Sequence, residues 1–94
     1  MTSSPTADSV PVLRPEARFR KFRGRTMVAS GPTALELSET AAFLLARVDG
    51  QRPVTQLATL LADEYDIDVD EARADTLELV ADLVESGILG LESP

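Results

Sequence analysis

Leu35-Glu36-Leu37-Ser38-Glu39-Thr40-Ala41 is the stretch on which the fold turns. Its first three residues alternate apolar, charged, apolar, the period of a half-buried strand. Ser38 then supplies a hydroxyl suited to capping a helix, and Glu39 puts negative charge in the first turn, where the helix dipole is positive. Apolar residues follow at Ala41, Ala42, Leu44, Leu45 and Val48 until Asp49-Gly50 stops the helix. The chain changes period at Ser38, so strands are expected before it and helices after it.

Upstream, Arg18-Phe19-Arg20-Lys21-Phe22-Arg23 reads as a first short strand, Gly24 as a turn and Thr26-Met27-Val28-Ala29 as a second strand. Ser30-Gly31-Pro32 turns the chain into the third strand, Ala34 to Leu37. Residues 1–15, punctuated by Ser3, Ser4, Pro5, Pro11 and Pro15, hold no period and read as a flexible N-terminal tail, with 92–94 as a C-terminal tail. Downstream, a second helix begins near Pro53 and buries Val54, Leu57, Ala58 and Leu61. Asp68 with Glu71 three residues later opens a third helix, apolar from Ala72 to Val84; Gly87 ends it, and Ile88-Leu89 folds back on the core. The expectation is one α+β domain over 16–91, winged-helix-like, with a three-stranded antiparallel meander followed by three α-helices.

With 94 residues the chain holds one modest core, too little for two lobes around a cleft. It contains no cysteine and no histidine, which removes thiol catalysis, disulfides, serine–histidine mechanisms and the usual zinc sites together. No cofactor or metal is expected. No run approaches the roughly 18 apolar residues of a membrane span, and no signal peptide is visible, so the chain is expected in the cytoplasm, off the membrane. The net charge of −7 is unevenly placed. From Arg14 to Arg25 six bases face one acid, whereas residues 53–94 carry one base and eleven acids. Such asymmetry marks charged partners or two contact surfaces, or only solvated faces.

Three chemical motifs fail on inspection. Asp66-Ile67-Asp68-Val69-Asp70 mimics the start of a calcium loop, but the sixth position is Glu71 instead of glycine and the twelfth is Leu77 instead of glutamate. Ser30, Ser38 and Ser86 lack the Asp-Ser-Leu context of an acyl carrier, and no phosphate-binding glycine loop occurs. A winged helix that binds nucleic acid is the serious rival: the basic run would meet phosphates and Phe19 and Phe22 would stack on bases. Against it, the third helix carries Asp75, Glu78, Asp82 and Glu85 against one Arg73, which repels phosphate.

At about 100° per residue, Ala72, Thr76, Leu79, Val80 and Leu83 share one arc of that helix, wide enough for its core face. Arg73, Leu77, Ala81 and Val84 form a second group to one side. This excess of apolar surface either widens the core or, beside an unpaired strand, makes a peptide-binding groove. The third strand leads into the helical part and would offer a free edge, to which an extended peptide could add as a fourth strand.

Leu35-Glu36-Leu37-Ser38-Glu39-Thr40-Ala41, Leu44-Leu45, Asp49-Gly50, Val54-x-x-Leu57-Ala58, Tyr65 and Asp75-x-x-x-Leu79-Val80-x-x-Leu83-x-x-x-Gly87-Ile88-Leu89 resemble, in order and spacing, the PqqD-like family. The resemblance runs from about Val12 to Leu91. It implies a peptide chaperone, or recognition element, for ribosomally made and post-translationally modified peptides. Members have three strands and three helices, bind a precursor leader as an added strand between the third strand and third helix, and present it to a modifying enzyme. That enzyme is a radical S-adenosylmethionine enzyme, or a leader peptidase and cyclase in lasso-type pathways. Two departures are visible: Pro53 stands where the pattern has Thr, and the strand around Met27 lacks the Leu-Leu-Tyr-Pro-Glu-Gly run of the pyrroloquinoline quinone pathway member.

The reading is therefore a non-enzymatic leader-binding protein, monomer or weak homodimer, with no nucleic-acid partner. Backbone groups of Ala34, Leu35, Glu36 and Leu37 are expected to pair with the leader. Leu77, Ala81 and Val84 would take its apolar side chains beside Val80, and Arg73 would meet an acidic one. Arg18, Arg20 and Arg23 on the basic strand are expected to dock the modifying enzyme. The alternatives are the nucleic-acid binder and a structural subunit whose groove is filled by a second copy.

Overall fold

The computed structural model describes residues 5–92. In chain order the elements are β1 (Val10–Leu13), β2 (Arg18–Phe22), β3 (Arg25–Ser30), β4 (Thr33–Leu37), α1 (Glu39–Leu45), α2 (Val54–Tyr65), α3 (Val69–Glu85) and β5 (Leu89–Glu92). β2, β3 and β4 form the antiparallel meander, in that order, and the three helices follow it, as expected. The expected third strand is β4.

Local chemistry accounts for the meander. Phe22 pairs with Arg25, leaving Arg23 and Gly24 as a two-residue loop with both φ positive (52° and 78°), the hairpin turn whose twist matches its strands. The first strand thus stops at Phe22, and Arg23, read as part of it, belongs to the turn. Gly31, at φ 57°, opens the second hairpin. The register sets Phe19, Val28 and Leu35 side by side, and Val28, fully buried, identifies their face as the one toward the core.

The helix starts also follow from sequence. The Ser38 hydroxyl accepts a hydrogen bond from the Ala41 amide, and Asp68 Oδ2 accepts from the Asp70 and Glu71 amides at 3.0 and 3.4 Å. Asp68 is thereby occupied as a helix cap, and Asp66 takes the left-handed position that ends α2. Asp49 Oδ1 accepts from the Gln51 and Arg52 amides, both at 2.9 Å, and these bonds hold its carboxyl below the ordinary value.

The N-terminal segment corrects the expectation of a tail over residues 1–15, and β5 reaches Glu92, into the expected C-terminal tail. β1 pairs antiparallel with β5, Val10 opposite Glu92 and Leu13 opposite Leu89, and Pro11 is fully buried. The rest of the tail reading, residues 1–4 and 93–94, falls outside the described residues. The reason is a helix end left short of partners. Pro53 caps α2 with no side-chain acceptor, so its first amides need carbonyls from elsewhere. Ser9 O accepts from the Val54 amide at 2.9 Å, and Ala7 O accepts from the Thr55 amide at 3.1 Å and from Thr55 Oγ1 at 2.6 Å.

Two apolar clusters join the layers. One unites Val28, Leu37, Leu45, Val54, Val80, Leu83, Ile88 and Leu89 between sheet and helices; the other unites Leu44, Leu57, Ala58, Leu61 and Ala72 among the helices. Each fully buried leucine or isoleucine stabilises the fold by about 1.5–3 kcal/mol. Ser30 Oγ donates to Gly87 O at 3.1 Å and ties the end of β3 to the end of α3.

Candidate functional site

β4 pairs with β3 along one edge and has no strand on the other among the described residues. Its backbone donors and acceptors there are available to an incoming chain. Alternation sets Ala34 and Glu36 outward and exposed, whereas Leu35 is half-buried and Leu37 buried on the core side. Only one charge lies in the strand, and Glu36 Oε1 is 3.5 Å from Arg25 Nη1.

The remaining residues of the expected site lie on α3. Arg73, Leu77, Ala81 and Val84 follow one another at helical spacing and all four are half-buried. Leu35, Leu77 and Val84 all pack against the same core cluster. Arg73 Nη1 lies 3.9 Å from Asp70 Oδ1, and Arg73 Nε is shielded from solvent with no hydrogen-bond acceptor, an unmet donor on the stripe. Val80 is corrected: only 3% exposed, it sits inside the core cluster and offers no surface to a ligand. The arc assignment that placed it with the core is the right one. Leu79, expected in the core, is half-buried where the two clusters meet.

The basic residues lie at the sheet's other edge. All five residues of β2 are exposed, with Arg18 and Arg20 on the outward face and Arg23 in the following turn. Arg18 Nη1 donates to Pro15 O at 2.8 Å and to Ala17 O at 3.0 Å. Phe19 and Phe22 fall on opposite faces of the sheet and cannot form one stacking platform for bases. Asp75, Glu78, Asp82 and Glu85 are all exposed on α3, which turns negative charge toward any docked phosphate backbone.

One feature of the site region escaped the sequence reading. Beneath β2 lies a cavity of about 520 Å³, walled by Phe19 and Lys21 of the strand, Leu37, Phe43 of α1 and Tyr65 at the end of α2. Phe43 and Tyr65 meet edge to face with centroids 5.7 Å apart, and the Arg47 guanidinium stacks 3.6 Å above the Phe43 ring. Burial first, then the Glu39 and Glu64 carboxylates, raise the Tyr65 phenol above its ordinary pKa. The signal was the aromatic spacing Phe19, Phe43, Tyr65, which joins only when the three elements pack.

Sheet and helices define a small winged-helix-like domain whose β4 edge carries no further strand among the described residues. The model of the family described as coenzyme PQQ synthesis protein D (PqqD) matches residues 15–89, and the chain belongs to that family. A PqqA binding protein of Xanthomonas oryzae pv. oryzae (strain KACC10331 / KXO85) is 37% identical over 91 residues, covering 95% of this chain and 99% of the relative. Another, from Xanthomonas axonopodis pv. citri (strain 306), is 34% identical over 88 residues, covering 92% and 96%.

Two solved structures share the fold. The solution structure of the PqqD truncation of Methylobacterium extorquens PqqCD aligns with a TM-score of 0.74 at 30% identity, covering 86% of this chain and 88% of that one. That truncation is described as a functional, stand-alone recognition element for ribosomally synthesised and post-translationally modified peptides. Lasso peptide synthetase B1 complexed with its leader peptide aligns with a TM-score of 0.75 at 25% identity, covering 86% and 98%. Among the described residues of this chain, no helix is long and apolar enough to cross a membrane.

Proposed function

We propose that this chain is a non-enzymatic recognition element that binds the leader of a precursor peptide as an added strand on β4 and holds its side chains against α3. The observation that carries the reading is the coincidence of a bare strand edge, Thr33–Leu37, with the half-buried stripe Arg73, Leu77, Ala81 and Val84. Strand addition uses both: main-chain pairing supplies affinity, and alternate side chains entering the groove supply selectivity. The relatives named for binding PqqA, and the synthetase solved with its leader, support a peptide as the ligand. Arg73, with its unmet Nε donor, meets an acidic or carbonyl group of the leader. The domain works in the cytoplasm as a monomer or weak homodimer and presents the leader to a modifying enzyme. That enzyme is a radical S-adenosylmethionine enzyme, or a peptidase and cyclase of the lasso type, and it docks on Arg18, Arg20 and Arg23.

The test is a fluorescence-polarisation titration with labelled PqqA and with the leader of any precursor encoded beside this chain. A scrambled leader and a random DNA duplex serve as controls. Leader-specific binding at micromolar affinity or tighter is expected. Salt-sensitive duplex binding without leader binding would replace this reading with the nucleic-acid one. Neutralising Arg18, Arg20 and Arg23 together is expected to leave leader affinity intact and to weaken the enzyme complex and its salt dependence.

A further inference from the structure

We propose that the cavity beneath β2 is a second docking site, which takes one uncharged apolar side chain from an acidic segment of a partner protein. The proposal rests on the assignment of β2 to a partner and adds the place and chemistry of the contact. Phe19 lies opposite Val28 on the core side of the sheet, yet it is 44% exposed, because no helix reaches under the edge strand. Phe19, Phe22 and Val69 are the exposed large apolar residues among the described ones, and two of the three belong to β2. An aromatic wall left open beside cations is a surface prepared for a covering group.

The charges specify that group. Lys21 stands on the sheet side of the cavity and Glu39 and Glu64 on the helix side, with Phe19, Leu37 and Phe43 between them. A charged side chain entering this interior loses its hydration among apolar walls, and rim charges in contact with water return little of that loss. A neutral leucine-sized or aromatic side chain meets no such penalty. Outside the cavity the balance is one-sided. Among the described residues Arg18, Arg20, Lys21 and Arg23 have no carboxylate partner, and of the neighbouring cations only Arg25 is paired, with Glu36. Arg18 is already held by the Pro15 and Ala17 carbonyls, so its charge is positioned before a partner arrives. Arg18 and Arg20 project from the outward face of this edge strand, so the part of the segment that crosses the β2 edge on its way into the cavity is acidic. β2 is the far edge of the sheet from β4, so this contact and a strand on β4 can be made together.

Tyr65 is the only tyrosine and the chain has no tryptophan, so its intrinsic emission reports on this cavity alone. The full chain is titrated with the peptides Asp-Glu-Leu-Asp-Glu, Asp-Glu-Ser-Asp-Glu and Lys-Arg-Leu-Lys-Arg. A saturable change in Tyr65 emission is expected with the first alone. Ala46→Phe, which adds a ring from an exposed rim position, should weaken that binding by about tenfold or more while the circular dichroism stays unchanged. Phe19→Ala, at an exposed wall position, should weaken it likewise. Equal binding of both acidic peptides, seen as amide shifts at Arg18–Arg23 without a Tyr65 response, overturns the cavity and leaves the basic strand as the docking surface. Binding of neither acidic peptide overturns both. Preference for the basic peptide, or a Tyr65 response to simple dilution that shows a second copy in the cavity, overturns the proposal while the leader titration stands apart from it.

Discussion

The two edges of one three-stranded sheet differ in what they present to a partner. β4 shows an incoming chain Thr33, Ala34, Leu35, Glu36 and Leu37, with a single charge, and β2 shows Arg18, Phe19, Arg20, Lys21 and Phe22, with three cations. Both leave backbone groups unpaired, yet long cationic side chains crowd and repel a strand at β2 where small and apolar ones admit it at β4. What lies beneath differs as well. Leu35 of β4 packs on the core cluster that α3 also joins, whereas under β2 the helical layer falls short and leaves a cavity. On the proposed reading, main-chain recognition and side-chain recognition are divided between the two edges of one small sheet.

The sharpest way to break the comparison is a pair of substitutions on α3. Val80→Asp puts a carboxylate into the core cluster and should cost about 4 kcal/mol, a large share of the stability of a domain this size, so cooperative thermal unfolding shifts far down or vanishes. Leu77→Asp, half-buried on the groove side, should cost about 1–2 kcal/mol and keep a cooperative transition, while leader affinity falls about thirtyfold or more. If Leu77→Asp unfolds the chain as Val80→Asp does, Leu77 belongs to the core and the groove loses its centre.

Removal of residues 1–9 tests whether the β4 groove depends on the N-terminal segment. It takes away the Ala7 and Ser9 carbonyls that receive the first amides of α2, and denaturant unfolding should show a loss of about 1–2 kcal/mol. Leader affinity should hold in the folded fraction, since neither carbonyl touches β4 or the α3 stripe.

The smallest effect sharpens the β2 side. Because the Tyr65 phenol titrates above its ordinary value of 10.0, the neutral phenol favours the folded state. That contribution is complete below the unfolded pKa and is lost as pH rises through the folded one. Glu39→Gln, which removes the larger of the two carboxylate influences, should move the Tyr65 titration back toward 10.0 in an ultraviolet absorbance titration. An unmoved midpoint would mean that Glu39 does not face the cavity.

Much of this molecule was legible residue by residue. Ser38 and Asp68 announced their helix starts because a cap needs only the three following residues, and the meander turned where Gly24 and Gly31 allow positive φ. The period of α3 set Leu77, Ala81 and Val84 apart from the core arc, and all three are half-buried, with Leu77 and Val84 packed on the edge of the core cluster. The period put Val80 in the core arc, at the border next to the flanking group, and its packing inside the core cluster overrules its reading as a groove residue.

The sequence by itself determined the order of the meander and the three helices, the change of period at Ser38 and the separation of basic from acidic surface, because caps, turns and charge are carried by neighbouring residues. Only the tertiary structure decided that Val10–Leu13 is a strand, since its partner, Leu89–Glu92, lies at the other end of the chain and Pro11 hides the local pattern. It decided also that Phe19, Phe43 and Tyr65 wall one cavity, because three residues on three elements come together only when the layers pack, and packing is a property of surfaces that no local spacing contains.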